Sequence, residues 1–300
     1  MTAKVILNPY SNRWNAKKRW PEAESALKAA GVDFELAISQ KKGQIVELAE
    51  RAAYEKFSPI IVAGGDGSIG DAANGLMRAV QFTKGQMIPL GIMPTGSAND
   101  LIYALGLPTD LRQAAQVIAS GKTRAMDLGR LNGRYFVNNS AGGLEPYITT
   151  KQERIQWVKG IPRYVVAALQ GIMDKPEWHG KITWDDGEYR GPISLITIGN
   201  GRRSGGFFMT PHADLFDGKL TLVYGYRPTR LSMFQALPRA FNPDKGSYVE
   251  LTGIQEVHTT RASIHLDEES PAHTDGELLP EWIQDFEYEI LPQCLNIIVA

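Results

Sequence analysis

Over roughly the first 120 residues, apolar runs rich in β-branched side chains alternate with longer stretches whose apolar positions recur every three or four residues. The pattern predicts strands at residues 4–7, 33–38, 59–63 and 88–93, with helices at 21–30, 44–54, 69–80, 100–105 and 111–120. Strand and helix taking turns argues for a parallel sheet covered by crossover helices, and such a sheet carries its ligands beyond the carboxyl ends of the strands. After Thr123 the pattern changes to short strand-like runs at 134–138, 193–198, 219–224, 262–266 and 288–291, with one helical interruption near 154–173. That reads as a mainly antiparallel β-sandwich. The expected division is an α/β domain over residues 1–124 and a β-rich domain over 125–300, the last ten or so residues being free to return to the first domain.

Composition narrows the class. A chain of 300 residues with 43% hydrophobic and 22% charged positions can bury two cores and needs no disordered segment. A net charge of −1 supplies no field to draw the protein onto nucleic acid, and none is expected as a partner. The basic run Arg13, Lys17, Lys18 and Arg19 reads as a solvated helix face. One cysteine, Cys294, can form neither an internal disulfide nor a zinc cluster, which fits a reducing, cytoplasmic setting. The five histidines show no metal-ligand spacing and read as surface or structural. The amino terminus lacks the long apolar stretch of a signal peptide, and nowhere do eighteen apolar residues run together, so no membrane-spanning helix is expected. Composition leaves a homodimer open.

Chemistry concentrates in two loops. Residues 59–63 run into Gly64-Gly65-Asp66-Gly67-Ser68-Ile69-Gly70, a glycine-rich turn from strand to helix, where bare amides form an anion site that phosphate can approach closely. Gly65, Gly67 and Gly70 also fit the dinucleotide fingerprint, but residues 81–95 hold neither Asp nor Glu to take a ribose hydroxyl, and Asp66 would face the pyrophosphate. A carboxylate facing a polyphosphate calls for a divalent cation between them, which suggests Mg-nucleotide. The P-loop lysine pattern is absent. A second loop of the same build follows at Pro94, through Gly96, Ser97, Asn99 and Asp100 into a helix.

Together the loops resemble the catalytic domain of the diacylglycerol kinase family, which includes sphingosine and ceramide kinases and their bacterial relatives. The first family pattern is matched from Gly64 to Asn74-Gly75-Leu76 and the second from Pro94 to Leu105-Gly106. Asn8-Pro9-Tyr10-Ser11, Ser39, Asp127-Leu128-Gly129, Asn138, Gly142-Gly143, Gly199-Asn200-Gly201, Asp217-Gly218 and Asp275-Gly276-Glu277 extend the likeness over nearly the whole chain. Ser68 and Ser97 stand for threonines, Asp71 for a glutamate, Tyr103 for a common arginine and Phe207 for a usual glycine.

The resemblance implies an ATP-dependent, magnesium-dependent lipid kinase of the same two-domain fold that visits the membrane surface transiently. It implies that Asn8, Pro9, Ser11, Ser39, Gly64, Gly65, Asp66, Gly67, Ser68, Asn74, Gly96, Ser97, Asn99 and Asp100 meet the nucleotide. Asp66, Asp100 and Asp127 would serve the catalytic magnesium, and Glu277 would act as general base. A second, structural magnesium would sit on the Asp217 carboxylate and the backbone oxygens of Asp214 and Lys219. Residues 155–173, with Trp157, Tyr164, Val165, Val166 and Leu169, are candidates to line a lipid slot, core packing being the plainer reading. An NAD kinase, which shares the Gly-Gly-Asp-Gly loop, and a non-catalytic nucleotide or lipid sensor are the competing readings.

Overall fold

The computed structural model describes the chain except residues 1, 13, 81, 83, 84, 86, 156–160 and 243–245, and divides it into two compact units. The first comprises Met1–Leu128, Tyr135–Val137 and Leu291–Ala300, and the second Gly129–Arg134 and Asn138–Ile290.

In the first unit the order is β1 (Ala3–Leu7), α1 (Asn15–Ala29), β2 (Phe34–Ile38), α2 (Gln44–Tyr54), β3 (Ile60–Gly64), α3 (Asp66–Ala79), β4 (Leu90–Pro94), α4 (Asp100–Ala104) and α5 (Leu111–Ser120). The strands lie in the order β2-β1-β3-β4, all parallel. The central strands β3 and β4 are buried at every position, as expected of runs such as Ile60-Ile-Val-Ala with helices on both faces. One face packs Val5, Leu7, Ile61 and Met93 against Trp20, Ala23 and Leu27 of α1 and Leu111, Ala115 and Ile118 of α5. Elsewhere α2 and α3 meet at Gly75, where a Cβ would stand 2.3 Å from the Val46 carbonyl oxygen, so only glycine lets these helices approach so closely. Helix α1 begins six residues before the expected start and runs through Pro21. Proline is at home in a first turn, which is why the sequence pattern places the start there.

The second unit follows β5 (Thr123–Leu131) and β6 (Arg134–Phe136). Its elements are β7 (Asn139–Gly143), α6 (Leu144–Arg154), α7 (Ile161–Asp174), β8 (Trp178–Trp184), β9 (Gly187–Ile193), β10 (Leu195–Gly199), β11 (Leu220–Gly225), α8 (Arg230–Phe241), β12 (Ile254–Thr259), β13 (Arg261–Ser270), β14 (Ala272–Thr274), β15 (Glu277–Leu278) and β16 (Ile283–Ile298). Strands β12-β11-β10-β7-β14-β15 form one antiparallel sheet. The first half of β16 with β13, β8 and β9 forms another antiparallel array. Facing side chains join the two: the Tyr288 hydroxyl lies 3.0 Å from Ser140 Oγ, Trp184 and Tyr189 lean on Tyr224, and the Phe286 ring fills the space that Gly142 leaves open. The β-sandwich expected from the turn-rich pattern is present.

The single expected helix at 154–173 is instead a pair, α6 and α7. Helix α8, closed at its amino end by a reciprocal Thr229–Ser232 capping box, was not expected at all. Strand β16 leaves the second unit at Ile290 and ends in the first, where Ile297 pairs in parallel with Leu90 of β4 and the Val299 amide donates to the Lys122 carbonyl.

Candidate functional site

In the first unit three strand ends, those of β1, β3 and β4, open into loops that hydrogen-bond to one another. Asn8 Nδ2 donates to Ser68 Oγ at 2.8 Å, and Ser11 Oγ shares a hydrogen bond with the same hydroxyl at 3.3 Å. The loop after β1 also reaches the third loop, with Ser97 Oγ donating to Asn12 Oδ1 at 3.0 Å. Asp66, at the start of α3, accepts the Leu101 amide at 2.9 Å and so caps α4 from outside. Arg19 of α1 donates to the Pro94 carbonyl at 2.9 Å, so this member of the basic run braces a loop instead of facing solvent, while Lys17 and Lys18 are exposed and Arg13 lies outside the described residues.

The backbones of the two glycine loops touch: a Cβ on Gly96 would stand 2.5 Å from the Gly65 Cα. Among the described residues no side chain caps the amino end of α3 at Gly65, which leaves its positive dipole end for an anion. Thr95 Oγ1 and Asn99 Oδ1, in this cluster, are buried polar atoms without a protein partner among the described residues. Buried polar atoms are ordinarily paired, so these residues fit a polar ligand. Asn8, Ser11, Gly64, Gly65, Asp66, Gly67, Ser68, Gly96, Ser97, Asn99 and Asp100 therefore belong to one constellation. Pro9 is buried at its edge, and Ser39, buried beyond β2, donates its amide to the Leu7 carbonyl.

Asn74 is engaged elsewhere. Its amide donates to the Gly70 and Tyr135 carbonyls at 2.8 and 2.7 Å and accepts the Tyr135 amide at 3.0 Å, so both its protons are committed to backbone and it anchors Tyr135 to α3. Asp100 and Asp127 are buried, and Asp127 Oδ1 accepts the Gln293 amide at 2.8 Å, tying β5 to the end of β16. Among the described residues no three acidic, histidine or cysteine side chains converge as a ready-made metal cage. The carboxylate oxygens on offer are the hard donors that magnesium takes, and one or two of them suffice where phosphate and water complete the shell.

In the second unit Glu277 follows a two-residue hairpin turn, Asp275-Gly276, whose φ angles of 49° and 79° are those of the type I′ turn that Asp-Gly favours. Asp275 Oδ1 accepts the amides of Asn138 and Asn139 at 2.8 and 3.1 Å, fastening the turn to the start of β7. The loop carrying Asp214, Asp217 and Lys219 is exposed. Asp214 Oδ1 accepts the Phe216 amide and Asp217 Oδ1 the Lys219 amide, two turns of the kind Asp makes with backbone two residues on.

Beside the Glu277 hairpin lies a cavity of about 210 Å³ with mostly apolar walls. Ile148 of α6, Ala168 and Ile172 of α7, Met233 and Ala236 of α8 and Phe207 are among the residues that line it, and Gly276 reaches it from the hairpin. The expected lining is thereby corrected. Val165 and Leu169 are exposed, because α7 turns Ala168 and Ile172 inward, while Trp157 and the Tyr164 side chain lie outside the described residues. Phe207, in place of a usual glycine, is a wall of the cavity and meets Phe241 edge-on at 5.6 Å. Sequence reasoning also missed the polar groups here. Glu145 and His273 line the cavity, with His273 Nε2 3.2 Å from Glu145 Oε1; Ser204 donates to the same oxygen and Thr197 to Oε2 at 2.8 Å. Burial alone would push the Glu145 carboxyl up, but these three donors outweigh it and hold it below the usual carboxylate range. Nothing in the local sequence announces this pairing, whose members are far apart in the chain.

Among the described residues no helix is long and apolar enough to cross a membrane. Residues 2–131 match the family described as diacylglycerol kinase catalytic domain, and residues 139–299 match the family described as YegS C-terminal NAD kinase beta sandwich-like domain. A diacylglycerol kinase of Staphylococcus carnosus is 27% identical over 92% of this chain and 88% of its own. One of Staphylococcus aureus is 30% identical over 74% of this chain and 69% of its own. The crystal structure of a putative diacylglycerol kinase from Bacillus anthracis superposes with a TM-score of 0.78 at 24% identity, covering all of this chain and 97% of the other, a likeness of fold.

Proposed function

Because the chain belongs to the diacylglycerol kinase family with a YegS-like C-terminal domain, we propose that this ATP-using lipid kinase phosphorylates the free hydroxyl of a diacylglycerol, giving phosphatidic acid. The observation that carries the acceptor class is the apolar cavity that reaches the Glu277 hairpin at Gly276, an apolar slot beside a polar end as a lipid requires.

In this reading the loops after β1, β3 and β4 hold the triphosphate on bare amides and short hydroxyls, with Asn8, Pro9, Ser11 and Ser39 at the nucleotide and Arg19 adding positive charge. Asp66, Asp100 and Asp127 would hold the catalytic magnesium and its water shell, and the ion would supply neutralisation of charge on the transferring group. Glu277 takes the proton of the lipid hydroxyl as the oxygen bonds to the γ-phosphorus and the bond to the departing ADP oxygen breaks. Asp217, with the backbone oxygens of Asp214 and Lys219, would hold a structural magnesium, which would stiffen the exposed loop. Exposed Val165, Leu169 and Met173 on α7 and Leu231 on α8 belong to helices that wall the cavity, and they serve as the transient contact with the membrane surface.

The test is transfer of label from ATP to mixed diacylglycerols, sphingoid bases and NAD in turn. Label in diacylglycerol is expected, and label in NAD alone would remove the reading. Glu277→Gln should abolish transfer while calorimetry still detects Mg-ATP. Undiminished turnover in that variant would place the base elsewhere.

A further inference from the structure

Glu145, Ser204 and His273, with Thr197 behind them, form a polar cluster at the wall of a mostly apolar cavity, and the mechanism above uses none of them. Their arrangement leaves one atom unaccounted for. Ionised Glu145 accepts Thr197 on one oxygen, and Ser204 and His273 Nε2 on the other. His273 is 1% exposed, and its Nδ1 is buried without a hydrogen-bond partner among the described residues. Such an atom is costly unless something brought into the cavity meets it.

His273 stands at the right place for this. It pairs with Leu278 across the β14–β15 hairpin, one residue before Thr274, which pairs with Glu277. Both His273 and Gly276, the residue before Glu277, line the cavity, so a lipid that enters it toward the hairpin passes the ring. Apart from its free hydroxyl, a diacylglycerol presents only acceptors, its two ester carbonyls. A neighbour that must pair with an acceptor needs a proton on Nδ1, and a ring whose Nε2–H already faces a carboxylate can carry one as the imidazolium, with Glu145 as its counter-ion.

We propose that His273 Nδ1–H donates to an ester carbonyl of the acceptor lipid and that Glu145 positions and charge-balances the ring, so that the cavity selects acylglycerols over lipids lacking the carbonyl. This rests on the diacylglycerol reading above and adds a specificity-determining residue to it. It also explains why a carboxylate is buried in an apolar wall: its partner is the ring, and the ring's partner is the substrate.

The test compares a 1,2-diacylglycerol with the 1,2-dialkylglycerol of equal chain length, which keeps the hydroxyl and loses both carbonyls. Affinity is measured by equilibrium binding in mixed micelles, independently of turnover, and kcat/KM is measured alongside. The wild type should favour the diester at least tenfold in both. His273→Gln, whose amide replaces Nε2 and keeps the Glu145 contact, should bring the ratio close to one. His273→Asn, whose amide replaces Nδ1, should keep much of it. Equal binding of the two lipids by the wild type, or a preference that survives in His273→Gln, would overturn the proposal and leave Nδ1 to a fixed water. Preferential binding of the diester without turnover of either lipid would support it, and would strike the diacylglycerol kinase reading instead.

Discussion

At the carboxyl ends of β1, β3 and β4 the groups on offer are backbone amides, glycines and the short side chains of Asn8, Ser11, Ser68 and Ser97, each within a few residues of a strand end. In the cavity of the second unit they are mostly apolar side chains from three helices and several strands, with a carboxylate–imidazole pair drawn from Glu145 and His273 and a few further polar groups such as Arg227 and Gln152. A phosphate site made of backbone depends on local conformation, so a run of glycines specifies it. A lipid site made of packed side chains depends on which elements meet, and no short run specifies it. The two should also fail differently when mutated.

The largest separation is expected at Gly96. A methyl group there meets the Gly65 backbone at 2.5 Å, which no rotamer change can relieve, so Gly96→Ala must push the two loops apart. A displacement of that size at a positioning group costs on the order of a hundredfold in kcat/KM, and it should appear with ATP as the varied substrate while lipid binding in micelles stays unchanged. Loss of lipid binding in this variant would show that the two sites are not independent.

Next comes Ala236→Phe, which adds a ring to the cavity wall from α8. Long-chain diacylglycerols should lose about tenfold or more in kcat/KM, since a methylene misfit in an apolar pocket is worth about 1–3 kcal/mol. Short-chain acceptors and ATP affinity should hardly change. A uniform loss across chain lengths would mean that the cavity does not take the chain.

A smaller, purely structural effect is expected at Gly142, where a Cβ would meet the Phe286 ring at 2.9 Å. Gly142→Ala should cost about 1–3 kcal/mol by overpacking, read as a lower midpoint in thermal or urea unfolding. It should leave the ratio of diester to diether turnover unmoved.

The smallest effect is on pH dependence. Glu145 is held below its ordinary value of 4.5, so its contribution to stability is complete above that pH and is lost as pH falls through the lowered folded-state value. The stability gap between the wild type and Glu145→Gln should be full at neutral pH and should narrow as the pH falls below 4.5 and through the lowered folded-state value. A gap that persists at lower pH would mean that the carboxylate charge is not what the three donors stabilise.

The same contrast explains what could be read from the chain itself. The α/β half was legible because its strands are continuous apolar runs and its helices keep a clean apolar stripe, as in Gln44–Tyr54 and Leu111–Ser120. That the two glycine loops turn from strand to helix was legible for the reason just given, and the structure brings them together. Asn74 was not, because its neighbourhood in the motif suggested a ligand contact, and only the fold reveals Tyr135 against it. Helix α8 was hidden by Pro238 near its end, and α6 by its weak apolar stripe. His273 read as ordinary, since its partner Glu145 arrives from the far end of another element. The exposed stripe of Val165, Leu169 and Met173 could be written down as apolar, but which side of α7 faced inward depended on Ala168 and Ile172 finding the cavity.

The last strand carries a consequence for the order in which the protein can be made. Residues 291–300 complete the first unit, where Gln293 closes onto Asp127 and Ile297 pairs with Leu90. During synthesis the parallel sheet of the first unit must therefore wait, unfinished along one edge, until the whole second unit has left the ribosome. Long-range closure of this kind is slow. The half of the molecule that is written first is the half that can be finished only last.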